Sequence, residues 1–183
     1  MKELSLNILD IAENSVKAGA TLTEILLTET DGTLTICIRD DGCGMSAQTV
    51  AQVTNPFYTT RTTRAVGLGL PLLKLEAQQT GGDITVESWD KENHPNNHGT
   101  VVTAVFHTNH IDCPPLGDVI ATIITLIQGH PTDDFLFLHT KGENEVRLDT
   151  RELKAVLEDV PLDSFEVLQW IQGHLQEQYA LMA

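Results

Sequence analysis

Three short clusters in this chain bring together residue types that can handle phosphates, a base or a divalent cation. The first is Asp10-Ile11-Ala12-Glu13-Asn14-Ser15. Asn is a poor helix former whose side chain usually points to solvent, yet its carboxamide oxygen is also a hard ligand. It can complete the octahedral shell of a Mg²⁺ ion whose other ligands are phosphate oxygens and water. Asp10 lies one turn earlier on the same helical face. The second cluster, Asp40-Asp41-Gly42-Cys43-Gly44-Met45, follows an apolar run. Alone it reads as a turn, because glycine supplies the positive φ that turns need. At a strand end, however, a buried carboxylate can accept a hydrogen bond from an exocyclic amine such as adenine N6, and Gly44 would let the backbone approach the base. The third, Gly67-Leu68-Gly69-Leu70, precedes a helical run and offers unpaired backbone N–H groups and the positive end of a helix dipole to phosphate. Just before it, Thr59, Thr60, Arg61, Thr63 and Arg64 supply hydroxyls and guanidiniums, the groups a triphosphate requires.

The elements that must position these clusters follow from periodicity. Leu4, Ile8, Ile11, Ala12 and Val16 fall at helical spacing over residues 4–18, with Gly19 as the stop. Runs at 22–28 and 34–38 read as an antiparallel pair across Asp31-Gly32, both of which tolerate positive φ. A loop over 40–46, a short helix over 47–53 and a Thr- and Arg-rich connection over 55–65 come next. The pattern then predicts a helix over 68–79, ended by Gly81-Gly82, and strands over 84–88 and 101–106 around a polar loop at 90–98. Beyond Cys113-Pro114-Pro115 it predicts a helix over 116–128, a hairpin of 135–139 and 145–148 across Gly142, and two helices separated by Pro161. In those helices Val119, Ile123 and Ile127, and Leu153, Val156 and Leu157, form stripes expected to face a core. The division expected is an N-terminal module, 1–110, carrying all the motifs, and an α/β extension, 111–183, with no catalytic pattern.

Composition narrows the function classes. Over 183 residues the formal charge is −15, against the Lys and Arg surplus that sequence-independent nucleic-acid binding needs, so no nucleic-acid partner is expected. The surplus of carboxylates repels a free nucleotide, so any ATP site must gather its own local cations. A hydrophobic fraction of 41% fits a folded globular protein. Cys37, Cys43 and Cys113 lack the paired spacing of a zinc site or disulfide framework, and no signal peptide or apolar run of membrane-spanning length is visible. A cytoplasmic protein is the expectation. The seven histidines read as ordinary surface or structural residues, His94 and His98 as part of a solvated loop, with no transition metal expected.

Taken in this order, the clusters resemble the ATPase superfamily shared by gyrase, the Hsp90 chaperones, histidine kinases and MutL, over roughly residues 4–106. The resemblance implies an α+β protein with a Bergerat-type fold, a two-layer α/β sandwich with a mixed sheet and helices on one face. It implies ATP and Mg²⁺ as cofactors. Asn14 would then coordinate the Mg²⁺ and Asp40 the adenine amine, with Gly42, Gly44 and Met45 shaping the pocket. Gly67, Leu68, Gly69 and Leu70 would meet the phosphates. Asn55-Pro56-Phe57-Tyr58-Thr59-Thr60 is similar to the phenylalanine box and lid of histidine kinases, which brings Phe57, Thr59, Thr60, Arg61 and Arg64 into the site. Gly99-Thr100 is similar to the family's last glycine-threonine element.

The segment around Asn14 also resembles MutL, where a glutamate four residues before the asparagine activates water. Asp10 holds that position here and is the candidate general base, one methylene shorter. No phosphoacceptor histidine on a dimerisation helix is expected ahead of the module. The expected activity is therefore transfer of the γ-phosphate of ATP to a histidine or serine of a separate protein. A nucleotide-sensing subunit of a larger assembly and a slow or MutL-like ATPase are the alternatives. The layout is also similar to short stand-alone kinase-like ATPases found beside iron-only hydrogenase subunits in anaerobic bacteria, which would make the partner a hydrogenase-type complex. A second copy of the chain is a further partner, since the family usually dimerises.

Overall fold

The computed structural model describes residues 3–55 and 69–183. Among these residues the elements run α1 (Leu4–Lys17), β1 (Leu22–Thr30), β2 (Thr33–Asp40), α2 (Ala47–Gln52), α3 (Gly69–Gln79), β3 (Asp83–Trp89) and β4 (Gly99–His107). They continue as α4 (Val119–Gly129), β5 (Asp134–Lys141), β6 (Asn144–Asp149), α5 (Thr150–Leu157) and α6 (Phe165–Met182). The strands form one six-stranded sheet in the order β3-β4-β2-β1-β5-β6. Only the β1–β5 pairing is parallel, so the sheet is mixed, as expected.

Local chemistry explains why these elements form. The β1–β2 turn places both Asp31 (φ 42°) and Gly32 (φ 76°) in the left-handed region, which a tight two-residue hairpin demands. Gly19 ends α1 with φ 77°. Helix α4 starts three residues later than its periodicity suggests, because Asp118 is drawn into the N-cap and its side chain accepts from the Ala121 N–H at 2.9 Å. Along the strands burial alternates with period two: Ile25 and Leu27, Leu34, Ile36 and Ile38, Val102, Ala104 and Phe106, and Phe135 and Phe137 all turn to the helical layer. Ile8 and Ile11 of α1, Leu73 of α3, Ile123 and Leu126 of α4, and Ile171 and Leu175 of α6 meet them in one continuous core. Each such side chain contributes about 1.5–3 kcal/mol by leaving water.

The segment after residue 110 builds onto this sheet rather than standing beside it. β5 adds to the edge of β1, with Leu22 opposite Asp134, and Ile123 and Phe137 belong to the same core as Ile8. One expected stripe is corrected. Leu153 and Leu157 of α5 lean on the core, but Val156 is 82% exposed, because so short a helix meets the rest of the protein along a line too narrow to include it. No helix among the described residues is long and apolar enough to cross a membrane.

Of the surface or structural roles expected of the histidines, His139 takes the structural one. It is 2% exposed, with Nε2 2.8 Å from Glu29 on β1 and Nδ1 2.7 Å from the Tyr179 hydroxyl on α6. Burial pushes its pKa below the usual value, against the opposing pull of Glu29. The unfolded chain therefore takes up this proton first. The resulting stability is fully present above the ordinary histidine pKa of about 6.5 and is lost as the pH falls through the lower folded value. The melting temperature should accordingly drop more between pH 7 and pH 5 in the wild type than in His139→Gln, measured by thermal unfolding at each pH.

Candidate functional site

The site grows from the end of β2. Asp40 shares the helix-facing side of the sheet with Ile36 and Ile38. Directly across the ladder stand Thr100 on β4 and, beyond it, Ser88 on β3. Asp40, Thr100 and Ser88 thus form one cross-strand row on the face that the helices cover. Helix α1 reaches this row through Ser15, whose hydroxyl donates to Asp40 Oδ2 at 2.7 Å, while the Gly42 N–H donates to Oδ1 at 2.9 Å. Two donors therefore fix the carboxylate and leave it acceptor capacity for an incoming group.

The turn after Asp40 is held from several sides. Asp41 accepts from the N–H groups of Thr21 and Leu22 and from the Thr21 hydroxyl. Partial burial pushes its pKa up, but these hydrogen bonds outweigh burial and leave it below the usual carboxylate range. Cys43 N–H donates to Ala18 O at 2.9 Å, Lys91 N–H to Cys43 O at 2.8 Å, and Met45 N–H to Ser88 Oγ at 2.8 Å. His98 corrects the reading of a solvated loop: it is half-buried, with Nδ1 2.5 Å from Gly42 O. The glycines are required by close approach. A Cβ on Gly42 would meet the Ala18 carbonyl oxygen at 2.9 Å, one on Gly44 (φ 69°) would meet Trp89 O at 2.0 Å, and one on Gly99 (φ 142°) would meet Asp40 O at 1.9 Å.

A second part of the site lies on the other flank of α1. Asp10 and Asn14 are exposed there, and Gly69 at the start of α3 lies against them. A Cβ on Gly69 would sit 3.8 Å from Asn14 Nδ2 and 3.9 Å from Asp10 Cβ. The two helices are also tied by a hydrogen bond from buried Asn7 Nδ2 to Glu76 Oε2. A carboxamide oxygen and a carboxylate suit Mg²⁺, and the described residues hold no group of three His, Cys, Asp or Glu able to bind a metal. An ion here would thus take most of its ligands from phosphate and water. Leu70, by contrast, is buried in the core. Phe57, Thr59, Thr60, Arg61, Arg64, Gly67 and Leu68 lie outside the described residues.

Ser15, Ser88 and His98 are the residues that reading the sequence missed. Ser15 and Ser88 did carry a signal. Each is a polar residue on an otherwise apolar period, Ser15 after Ile8, Ile11 and Ala12, and Ser88 after Ile84 and Val86. His98 carried none, because its partner is a backbone carbonyl far away in sequence.

A family model for histidine kinase-, DNA gyrase B- and HSP90-like ATPases matches residues 2–110. The heme sensor protein HssS of Staphylococcus saprophyticus is 33% identical over 100 residues, covering 53% of this chain and 20% of its own length. Sporulation kinase C of Bacillus subtilis is 28% identical over 88 residues, covering 48% of this chain and 20% of its own. The chain thus spans about a fifth of the length of these relatives. Among solved structures, the N-terminal domain of a DNA repair protein superposes with a TM-score of 0.60 at 15% identity, over 81% of this chain and 53% of that one. That likeness is one of fold.

The close approach at Gly99 gives a direct test. Gly99→Ala should destabilise the protein by about 1–3 kcal/mol or more through strain and collision with Asp40 O. Gly173→Ala, in α6 with open space around it, should instead stabilise by about 0.5–1 kcal/mol. Urea unfolding of the two variants measures both.

Proposed function

The chain belongs to the family of histidine kinase-, DNA gyrase B- and HSP90-like ATPases and contains its ATP-binding module; we propose that it binds Mg·ATP and transfers the γ-phosphate to a separate protein. In this reading Asp40 receives the adenine amine, with Thr100 beside it. Asn14 completes the shell of the Mg²⁺, and the N–H groups around Gly69 meet the phosphates. The observation that carries the reading is the continuity of these groups through α1: Ser15 bonds Asp40, and the adjacent Asn14 faces Gly69. One helix therefore spans base and phosphate.

Phosphoryl transfer needs chiefly positioning and charge neutralisation, with little covalent chemistry from the protein. A bound Mg²⁺ would supply part of that neutralisation, and Arg61 and Arg64 precede the glycine pair in sequence. Asp10, next to Gly69, would act as the general base toward an acceptor hydroxyl, imidazole or water. The names of the similar proteins, a heme sensor and a sporulation kinase, favour signalling by phosphorylation. A second reading, a nucleotide-sensing subunit that transfers nothing, draws on the seating of α1: the N–H groups of Leu4 and Ser5 donate to Pro115 O and Leu116 O at 2.9 and 2.8 Å, so residues after 110 grip the nucleotide helix directly.

Incubation with γ-labelled ATP, alone and with co-purified partners, separates these readings. Label on a partner is the expected result. Free phosphate alone would make the protein an ATPase with Asp10 as base. Binding with neither would make it a sensor, and a folded protein that does not bind Mg·ATP would refute the proposal. Asn14→Ala should weaken Mg-dependent ATP binding at least about tenfold, equivalent to about 1.4 kcal/mol, with an unchanged circular dichroism spectrum. Unchanged affinity would remove Asn14 from the metal site.

A further inference from the structure

Ser88 is not among the residues predicted to bind the ligand, yet its hydroxyl makes three polar contacts within the site. It lies 2.8 Å from Met45 N, 3.0 Å from Gly99 O and 2.8 Å from Thr100 Oγ1. A serine hydroxyl has one proton to give and two lone pairs to receive. Met45 N–H can only donate, and Gly99 O can only accept. The arrangement that satisfies all three contacts therefore gives the Ser88 proton to Gly99 O and takes the Thr100 proton into Ser88. Thr100 is left with lone pairs alone, beside a carboxylate that also only accepts.

We propose that Ser88 is a positioning residue for base selectivity, fixing the Thr100 hydroxyl as an acceptor so that Asp40 and Thr100 together present only acceptors to the base. The inference rests on the nucleotide-binding reading and deepens it. A pair of acceptors suits the exocyclic amine of adenine, which carries two hydrogens. It opposes the carbonyl oxygen that guanine carries at the same ring position, since two acceptors facing each other leave both unpaired at close range. The row geometry permits this division of labour. Asp40 pairs with Thr100 and Thr100 with Ser88 in successive ladders on one face of the sheet, so the outer residue sets the proton of the middle one without touching the ligand. Removing the Ser88 hydroxyl frees the Thr100 proton, and Thr100 can then turn to donate to a carbonyl.

Isothermal titration with Mg·ATP and Mg·GTP tests this in the wild type, Ser88→Ala, Ser88→Thr and Thr100→Val. The wild type should prefer ATP. Ser88→Ala should reduce the ATP-to-GTP affinity ratio roughly tenfold, the scale of one hydrogen bond changed from unfavourable to favourable. Ser88→Thr, which keeps the hydroxyl, should restore it. A merely structural role would weaken both nucleotides together, so a folded Ser88→Ala with an unchanged ratio overturns the proposal. Should Ser88→Ala fail to fold, an unchanged ratio in Thr100→Val overturns it equally. Wild-type protein that binds both nucleotides without preference refutes this inference but spares the binding site, whereas binding of neither refutes both.

Discussion

Helix α1 must bury Leu4, Ile8, Ile11 and Ala12 against the sheet, and at 3.6 residues per turn this leaves no freedom in where its remaining side chains point. Ser15 falls on the buried side and meets Asp40, while Asp10 and Asn14 emerge on the open flank beside α3. The rotation that satisfies the hydrophobic face is thus also the one that assembles the polar groups. A slip of one residue would turn Ser15 about 100° from Asp40 and point Asn14 away from Gly69. The axial position of α1 is set separately. Its first N–H groups have no side-chain cap and take the carbonyls of Pro115 and Leu116 instead.

The Asp40 end and the Asn14 end of the candidate site differ in how firmly they are built. Around Asp40, backbone approaches backbone so closely that Gly44 and Gly99 admit no side chain, and eight hydrogen bonds hold the turn from Asp41 to Met45 to the residues after α1, the start of β1, β3 and the loop after it. Around Asn14 the groups are exposed, and Gly69 makes only ordinary van der Waals contact. A carboxylate that must recognise an amine gains from rigidity, because a misplaced acceptor loses both its bond and its selectivity. Groups that meet phosphates through a hydrated cation tolerate more play, since water can adjust between them.

What the sequence disclosed about this site was whatever is local. The α1 stripe, the Asp31-Gly32 hairpin and the glycines at 42 and 44 each depend on neighbours within a turn or a few residues, so their reasons are printed in the order of the chain. Membership of the sheet in the order β3-β4-β2-β1-β5-β6 is not local, and neither are its consequences. Ser88 matters only because β3 pairs with β4 in a register that sets it opposite Thr100, and His98 only because its loop folds back onto Gly42. Val156 misled for the opposite reason. Helical spacing gave it a place in the stripe, but the width of a buried face is fixed by the partner surface, and α5 has little.

The pairing of β1 with β5 carries a consequence for how the chain is made. Leu22 finds Asp134 only after most of the polypeptide exists, so during synthesis β1 waits with one row of backbone groups unpaired. Loop closure over so long a stretch is slow compared with forming the β1–β2 hairpin. The whole stretch matched by the ATPase family, with its four strands, is synthesised before β5 exists to cover its β1 edge. A nascent chain in that state exposes Ile25 and Leu27 beside an open edge, the combination that holding chaperones engage and that aggregation exploits.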